Sequence, residues 1–533
     1  MRDKTKYEKP KRSCPVCSTV ISGGKLKRHM KRQHKEIFLQ EPGEEHQKMK
    51  KFRNDGIVNV NKAKVLTGEK NYQTVHKFEG TVVHCKLCKG AYSQKTFHKH
   101  KRSCYMKGQG DAVKFVRASN LSENFDDGFM EILSSFQSDD VGDICRGDEI
   151  IKYLGQRLWK KEKYKVGKAD EVRKTVMSTM RLLGRLYLSF QKFANNSVSA
   201  EDMFKKENWS QLEAAIEDIT IDEKGNLKYG VKHALYYHLL NAVQHLEGRA
   251  LTENKGENVY REYELFQKVL EHHQPTTFSD AMYMINKSRQ EKLRLPEQLP
   301  PEDCVQVLKQ YTVGRISYIM EKNEVNLGKS DFVELRNLVC CRTTLFNARR
   351  GGEPCRMFMP QWIERAKWVK SARLTEEEQK YFKKMDITFC NSKGNKLSSC
   401  IFPVDVVPAM DLLCKEEFRA SAGVLLSNKY IFANTENSNH HVDGWQAIHN
   451  VSVKSGLPQH VLGTLTATSQ RKRISTIYAG LDIDVNDRPL FYHHMGHSEK
   501  VNAGTYQRPL AVRTLAKIGS VLMDIDESGW LSQ

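Results

Sequence analysis

The sequence predicts a mainly α-helical protein with a small β-sheet (α+β) in its C-terminal part, and three observations support this fold class. Apolar residues recur at helical spacing from about residue 148 to 325. Residues 387–402 hold a Ser-Lys-Gly-Asn turn between β-prone segments, which predicts a hairpin. Residues 1–110 are rich in Lys, His and Cys with little apolar pattern, which predicts small modules that need a staple such as a metal ion.

The length and charge of the chain limit its class. It has 533 residues, a formal net charge of +21 and an isoelectric point near 9.3. These values predict two to four domains and an anionic partner, of which nucleic acid is the most economical. No stretch of about 18 or more apolar residues occurs, and the N-terminal segment lacks an apolar signal core. We therefore expect a soluble, intracellular protein without a membrane partner.

Two clusters of cysteine and histidine in residues 1–110 share the same central spacing. The first is Cys-x2-Cys-x11-His-x4-His and the second is Cys-x2-Cys-x11-His-x3-Cys. A tetrahedral zinc ion takes four such ligands, two from a Cys-x-x-Cys turn and two from a following helix. The predicted ligands are Cys14, Cys17, His29 and His34 in the first cluster, and Cys85, Cys88, His100 and Cys104 in the second. His98 competes with His100 for the third position of the second cluster.

Residues 1–110 are thus predicted to form two zinc-finger-like modules with two structural zinc ions, each contributing on the order of 10 kcal/mol to folding. The 13 cysteines are an odd number, and reduced thiols with zinc fit better than a disulfide framework. Basic residues surround both clusters: Lys25, Lys27, Arg28, Lys31, Arg32 and Lys35, then Lys95, Lys99, Lys101 and Arg102. Phosphate contact is their natural role, and base reading in the major groove is a further option. A protein-binding finger or a solvated basic face is the alternative.

The middle of the chain divides into a connection and a helical domain. Residues 111–147 carry several aspartates among serines and predict an acidic linker. Residues 148–325 predict a helical domain, because two apolar stripes follow helical spacing. The stripes are Val176, Met180, Leu183, Tyr187 and Phe190, then Val231, Leu235, Leu239, Ala242 and Leu246.

The last domain, residues 326–533, predicts helices around the small sheet. The segment Phe332–Phe346 has a helical pattern, the hairpin follows at 387–402, and further helical stretches lead towards the C-terminus. An amphipathic tail ends the chain. Its apolar residues are Leu510, Val512, Leu515, Ile518 and Val521.

Five residues of this domain form an ordered set suited to phosphoryl transfer: Arg350, Glu353, Arg471, His497 and, nine residues later, Tyr506. Two arginines and a histidine gathered around a tyrosine can hold a phosphodiester and balance the charge that grows on it. The phenol oxygen can then attack phosphorus. The set therefore makes DNA strand exchange the leading hypothesis.

Three stretches carry a resemblance to a known family. They are Phe-Asn-Ala-Arg-Arg-Gly-Gly-Glu-Pro at 346–354, Thr-Ser-Gln-Arg-Lys-Arg-Ile-Ser-Thr at 468–476, and Met-Gly-His-Ser at 495–498 followed by Tyr506. In this order they resemble the three boxes of tyrosine recombinases, the family of phage integrases and Xer-type enzymes. The residues within the boxes resemble those of the eukaryotic Crypton-type recombinases and their animal host-gene relatives. The resemblance covers about the last 200 residues, and the helical domain before them only by analogy with the family's core-binding DNA clamp.

The resemblance and the chemistry together imply roles for the site residues. Tyr506 would hold the DNA 3′ end as a phosphotyrosine, while Arg350, Arg471 and His497 bind the phosphate. A lysine in the family's hairpin protonates the leaving 5′ oxygen, and Lys393 matches best, with Lys396 as the alternative. No catalytic metal or nucleotide is required.

Two positions of the boxes need separate comment. Glu353 would orient the neighbouring arginines rather than act as an acid. Thr468 stands where the family usually has histidine, so it can donate a hydrogen bond to phosphate but cannot carry a charge.

Neighbouring residues of the same types are expected to have ordinary roles. We expect Tyr478 and Tyr492 to have packing roles, and we expect His493 and His494 to lie on the surface or to face DNA. The side chains of Arg349, Lys472 and Arg473 are expected to be solvated or to contact phosphate.

We therefore expect a nuclear, DNA-binding tyrosine recombinase that acts on double-stranded DNA as a homo-oligomer on a synapse. The alternative is a catalytically silent, domesticated zinc-finger DNA-binding protein that retains the recombinase fold, and a related topoisomerase is a third option. The DNA target, the number of protomers, and whether the chain belongs to a transposable element or a resident gene stay open at this point.

Overall fold

The computed structural model describes residues 12–21, 25–76, 78, 80–107, 113–121, 125–165, 168–194, 198–294, 299–365, 375–391, 397–435, 438–481, 483–503 and 518–528. The described chain is mainly helical with small sheets, as the sequence predicts. It forms two compact units: the first takes Met1–Gly108 and Val113–Ser288, and the second takes Gln109–Ala112 and Arg289–Gln533. Each helix within the described ranges is too short or too polar to span a lipid bilayer.

The first unit begins with a small module built on a two-stranded sheet. Strands β1 (Arg12–Ser13) and β2 (Val20–Ile21) pair antiparallel, and helices α1 (Leu26–Gln33), α2 (Lys35–Gln40) and α3 (Glu45–Leu66) follow. Its apolar core consists of Cys14, Leu26, Met30, Phe38, Met49 and Phe52. Such a small core fits the expectation that the module needs a staple.

A second module follows with three short strands and one helix. Strand β3 (Val82–Cys85) lies between β4 (Ala91–Ser93) and β5 (Phe115–Arg117) and pairs antiparallel with both. Helix α4 (Phe97–Ser103) begins after β4. The apolar core of this module consists of Val83, Cys85, Cys88, Phe97, Cys104 and Val113.

The prediction of an acidic linker at residues 111–147 is wrong over much of this range. Helices α5 (Asp127–Ser135) and α6 (Asp140–Gly147) occupy it, and α5 contributes four side chains to the core of the first unit. Asp126 and Asp139 accept hydrogen bonds from backbone N–H groups of the first helical turns at 2.9 and 2.7 Å. These acids therefore cap helices instead of solvating a connection.

Six longer helices complete the first unit. They are α7 (Glu149–Glu162), α8 (Ala169–Ala194), α9 (Trp209–Thr220), α10 (Tyr229–Thr252), α11 (Glu257–His273) and α12 (Ser279–Arg294). Both predicted apolar stripes face the core, on α8 and α10, and only Val231 is partly exposed. The helical pattern of this region is confirmed.

The second unit is organised around one central helix. Helices α13 (Glu302–Met320) and α14 (Lys329–Phe346) bury their apolar faces in one core, so the division between units falls before α13 and not after residue 325. The helical pattern alone does not show which core a helix joins. Helix α14 has ten buried residues and confirms the helix predicted at Phe332–Phe346.

The predicted hairpin is confirmed beside this helix. Strands β6 (Met385–Asn391) and β7 (Leu397–Pro403) pair antiparallel, with Thr388 opposite Cys400. The turn between the strands lies outside the described residues.

Ten shorter α-helices follow in the described part of the second unit. They are α15 (Met359–Ile363), α16 (Glu376–Phe382), α17 (Val407–Cys414), α18 (Glu416–Ser421), α19 (Gly444–Lys454), α20 (Gln459–Leu462), α21 (Ala467–Gly480), α22 (Arg488–Met495), α23 (Glu499–Val501) and α24 (Ser520–Ser528). Helix α14 packs against α13, α17, α19 and α21 as well as β7. Its C-terminal end therefore lies where several elements meet.

The predicted amphipathic tail is described only in part. Leu510, Val512 and Leu515 lie outside the described residues. Ile518 and Val521 are exposed.

Candidate functional site

The end of α14 fixes the loop that carries the first predicted site residues. Asn347 follows the helix and is buried. Its side-chain amide donates to the carbonyl of Ile401 at 2.7 Å, and its Oδ1 accepts from the N–H of Ile401 at 2.7 Å. This pair of hydrogen bonds joins the end of α14 to β7, so the loop at 348–353 starts from a rigid position.

The loop opens with an unusual backbone conformation at Ala348. Its φ is +48°, in the left-handed region that few residues other than glycine adopt. Such strain persists only where the surrounding structure imposes it, and it is concentrated at functional sites. The carbonyl of Ala348 accepts a hydrogen bond from Nη1 of Arg471 at 3.1 Å.

Glu353 contacts two arginines with one buried carboxylate. Its Oε2 lies 2.9 Å from Nε of Arg349, and its Oε1 accepts from Nη1 of Arg350 at 3.1 Å. The Glu353 side chain is 1% exposed, whereas that of Arg350 is 31% exposed. Glu353 therefore holds the guanidinium of Arg350 at a surface that a ligand can reach.

Arg349 differs from its expected role. It was predicted to be solvated or to contact phosphate, but its side chain is fully buried. Beyond Glu353, it donates through Nη1 to the carbonyl of His494. Arg349 therefore links the loop to α22, because both of these contacts lie inside the protein.

Arg471 lies on α21, the helix that Thr466 caps by accepting from the N–H of Ser469 at 3.1 Å. The Arg471 side chain is buried, at 1% exposure. Besides the Ala348 carbonyl, Nη2 donates to the carbonyl of Met495. Arg471 thus joins the loop after α14 to the end of α22. Thr468 occupies the first turn of α21 and is exposed.

His497 lies two residues after the last residue of α22. Gly496 ends that helix with φ +69°, and the N–H of His497 donates to the carbonyl of Tyr492 at 3.1 Å. Burial, followed by the positive charges of Arg471 and Arg350, lowers the pKa of His497 to about 4. The imidazole is therefore neutral at pH 7 and lies within the electrostatic reach of both arginines.

His494 was predicted to lie on the surface or to face DNA, and it does neither. Its Nδ1 is 3.1 Å from Oγ of Ser399, and its Nε2 is 3.1 Å from the carbonyl of Asn347. Burial, followed by the charge of Arg349, lowers the pKa of His494 to about 4. The partners of this histidine are 95 and 147 residues away in sequence, so no local pattern could have revealed them. His493, by contrast, is exposed.

Three predicted site residues from separate elements therefore lie together: Arg350 after α14, Arg471 on α21 and His497 after α22. They bring two fixed positive charges and a neutral imidazole to one place. Such a group can bind a tetrahedral anion, since guanidinium forks donate paired hydrogen bonds to non-bridging oxygens. Lys393, Lys396 and Tyr506 lie outside the described residues.

A separate candidate site lies in the first module of the first unit. Cys14, Cys17, His29 and His34 each present one ligand atom, and these atoms lie within 4.8 Å of one another. Sγ of Cys17 is 3.3 Å from Nε2 of His29. Hydrogen bonds from the side chain and backbone of Thr19 lower the pKa of Cys17 to about 5, which favours the thiolate that metals bind.

The second module has an equivalent cluster of Cys85, Cys88, His100 and Cys104, with ligand atoms again within 4.8 Å of one another. Sγ of Cys88 is 3.4 Å from Nε2 of His100, and the sulfurs of Cys85 and Cys104 are 3.9 Å apart. His98 is exposed and contacts the carbonyl of Lys95 at 3.1 Å. The third ligand of this cluster is therefore assigned to His100.

Both clusters fit a tetrahedral ion. Zinc-to-sulfur distances of about 2.3 Å place ligand sulfurs about 3.8 Å apart on a tetrahedron, close to the separation of Cys85 and Cys104. Two Cys/His clusters of the described chain could thus each hold a metal ion.

Both modules carry positive charge on their surface. All ten basic residues named above around the clusters are exposed. Lys27 and Lys31 pair with Glu45 at the start of α3, Lys31 at 2.8 Å. The other basic residues of α1, Arg28 and Arg32, add to the positive surface.

Comparison with known proteins finds no match for this chain among family models, curated proteins or solved structures.

Proposed function

We propose that this chain is a tyrosine recombinase that cuts and rejoins double-stranded DNA, with Tyr506 as the nucleophile. One observation carries the proposal. Arg471, which is 121 positions after Arg350 in the sequence, donates to the carbonyls of Ala348 and Met495, two residues before Arg350 and His497 respectively, and the charges of both arginines lower the pKa of His497. The order of these residues and the nine-residue step from His497 to Tyr506 add support.

The three side chains suit the chemistry of a phosphodiester. Attack by a phenol adds negative charge to the non-bridging oxygens, and the fixed guanidinium groups favour that state over the ground state. A bound phosphate would offset the two positive charges beside His497 and so raise its pKa from about 4. Binding of the substrate would therefore make this imidazole a better proton carrier.

The remaining steps fall to residues that the sequence suggests. Lys393, or Lys396 in its place, would protonate the leaving 5′ oxygen. Thr468 lies one helical turn before Arg471, so its hydroxyl is available to a phosphate oxygen. The phosphotyrosine conserves the bond energy, so a 5′ hydroxyl can reseal the strand without a nucleotide or a catalytic metal.

The two N-terminal modules would hold one structural zinc ion each and bring the enzyme to DNA. Their exposed lysines and arginines suit contact with phosphates. We further propose that the protein works in the nucleus as a homo-oligomer on a DNA synapse, as its likeness to Crypton-type recombinases implies.

A second function has its own supporting observation. Arg471 is 1% exposed, and both of its terminal nitrogens donate to backbone carbonyls. An arginine with these partners supports the fold whether or not a phosphate reaches it. This favours the alternative of a catalytically silent DNA-binding protein that keeps the recombinase fold.

A suicide substrate separates the two functions. The full chain is incubated with a library of duplexes that carry a nick beside a randomised cleavage position, and covalent protein–DNA adducts are sought on denaturing gels. The enzyme forms an adduct, and Tyr506→Phe abolishes it. Tyr381→Phe, which alters an exposed tyrosine on α16, is the matched control and keeps the adduct.

Binding of the same duplexes without any adduct would contradict the enzymatic proposal and would favour the catalytically silent DNA-binding protein. An adduct that persists in Tyr506→Phe would move the nucleophile to another residue.

A further inference from the structure

One tryptophan of the second unit is exposed. Trp445, on α19, has 57% of its surface open to solvent, whereas Trp362 of the same unit is completely buried. A tryptophan gains most from burial of its ring, so an exposed one marks a surface where something else can cover it.

His449 extends this exposed ring. It lies one helical turn further along α19, and the two rings stack with centroids 5.3 Å apart and planes 4° from parallel. The stack leaves more than half of the Trp445 surface exposed, and we term the two side chains the aromatic pair.

The aromatic pair is mounted on a rigid helix. Asp443 caps α19 by accepting from the N–H of Trp445 at 3.0 Å. The opposite face of the helix buries Ala447, Ile448 and Val451 in the core of the unit. The rings therefore keep their position without help from a ligand.

The backbone that carries the aromatic pair lies next to the loop of the candidate phosphate site. Gly444 and Gly351 approach so closely that a Cβ built on Gly444 would be 1.8 Å from the Gly351 carbonyl oxygen. A Cβ on Gly351 would be 3.5 Å from the backbone nitrogen of Trp445. Since Gly351 directly follows Arg350, the exposed ring begins beside the loop that presents this guanidinium.

The surroundings of the aromatic pair are polar, with one exposed carboxylate at the capping residue Asp443 and one exposed ammonium at Lys454. Helix α19 itself contains no acidic residue, and its exposed side also presents Gln446 and Asn450. Gln446 donates to Asn450 at 2.8 Å. Across the adjoining groove, the carboxylate of Glu334 is neutralised by Arg315 at 3.0 Å.

We propose that Trp445 and His449 stack against an unpaired nucleobase next to the phosphate bound at Arg350. This inference rests on the proposed function, because a cleaved strand must leave its complement before its 5′ end can be exchanged. The bases freed in this way lose their stacking partners. A flat aromatic surface beside the cleaved phosphate replaces these partners with little dependence on base identity.

The test uses the full chain and duplexes that carry a short gap, with 2-aminopurine placed in turn at each unpaired position. Stacking on an aromatic ring quenches 2-aminopurine fluorescence. We expect quenching by the wild-type chain at one or two positions, and weaker binding to gapped DNA by about 5- to 100-fold in Trp445→Ala, with loss of the quenching. Binding to intact duplex changes little.

Two further variants serve as controls for this test. Trp445→Phe retains an aromatic ring and is expected to bind within about threefold of wild type, which a folding defect at this position would not allow. Leu426→Ala removes another exposed apolar side chain of the same unit and leaves both readouts unchanged. Equal quenching and equal gapped-DNA binding by wild type and Trp445→Ala overturn the proposal. Loss of a protein partner in Trp445→Ala with normal DNA binding overturns it as well.

The failure of this proposal and that of the proposed function are distinguishable. An adduct through Tyr506 combined with no effect of Trp445→Ala leaves the recombinase and removes the stacking surface. Quenching that depends on Trp445, without any adduct, retains the stacking surface on a DNA-binding protein that does not cut.

Discussion

Glu353 neutralises two guanidinium groups, one fully buried and one at the surface. Arg349 depends on it most, because the Arg349 side chain has no exposed surface through which water could solvate its charge. Removing one partner of a buried ion pair is costly, since the other charge stays in a medium of low dielectric constant. The same carboxylate fixes Arg350, so stability and the proposed phosphate binding share one residue.

We expect Glu353→Ala to lower the free energy of unfolding of the second unit by about 3–5 kcal/mol, because Arg349 would be left buried without a carboxylate. Glu353→Gln keeps an acceptor oxygen and is expected to lose less. Chemical denaturation of the full chain measures both changes. Glu377→Ala, at an exposed position of α16, is the control and stays within about 0.5 kcal/mol of wild type. A loss below about 1 kcal/mol in Glu353→Ala would contradict the buried-pair argument.

Residue order and spacing predicted that Arg350, Arg471 and His497 converge, and in the structure the charges of both arginines lower the pKa of His497. They did not predict the roles of Arg349 and His494. An arginine beside another arginine has the sequence pattern of a solvated pair, and only the position of Glu353 one helical turn later hints that one of the two is held inside. The contacts of His494 come from α14 and β7, so only the folded chain assembles them.

At the scale of elements, local patterns predicted the helical region after residue 148, helix α14 and the hairpin, because burial of one face imposes a period that can be counted. Acidic residues misled the prediction at 111–147. Asp126 and Asp139 cap helices there, and a capping aspartate is hard to tell from a linker aspartate without knowing that apolar residues such as Phe129 are buried.

The two metal clusters make a prediction for their own modules. We expect the wild-type chain to bind two zinc ions, His100→Ala to bind one, and His98→Ala to bind two, because only His100 faces the sulfurs of its cluster. Metal analysis of the purified full chain measures the ratio. Zinc content that falls in His98→Ala and not in His100→Ala would reverse the ligand assignment.

The whole molecule carries a net charge of +21, and much of the exposed charge of the N-terminal modules is basic. A protein that neutralises DNA phosphates releases counterions, so its affinity falls as salt rises. Length and composition predicted this property. They did not predict that the chain divides before α13, because membership of a core depends on packing between distant segments.

We expect the affinity for duplex DNA to fall by roughly 10³- to 10⁵-fold between 50 and 200 mM salt, if about six to ten phosphates are contacted. Arg28→Ala combined with Arg32→Ala should reduce the slope of log affinity against log salt by about 1.8. Lys27→Ala is the matched control on the same helix, and it should change the slope less because Glu45 already neutralises this lysine. Filter binding or fluorescence anisotropy supplies the curves, and a flat curve would indicate a protein partner instead of DNA.

The two carbonyl bonds of Arg471 have a consequence for any ligand of the site. The two bonds use two of the five N–H groups of the guanidinium and tie it to the loop after α14 and to the end of α22, so a phosphate oxygen that displaces either carbonyl also releases one of these attachments. If the proposed DNA substrate binds in this way, its capture includes a rearrangement of the protein, and the measured affinity equals the intrinsic affinity multiplied by the fraction of molecules already rearranged. Under the proposed function, the free protein would then keep this arginine in its structural role until a substrate oxygen replaces a carbonyl.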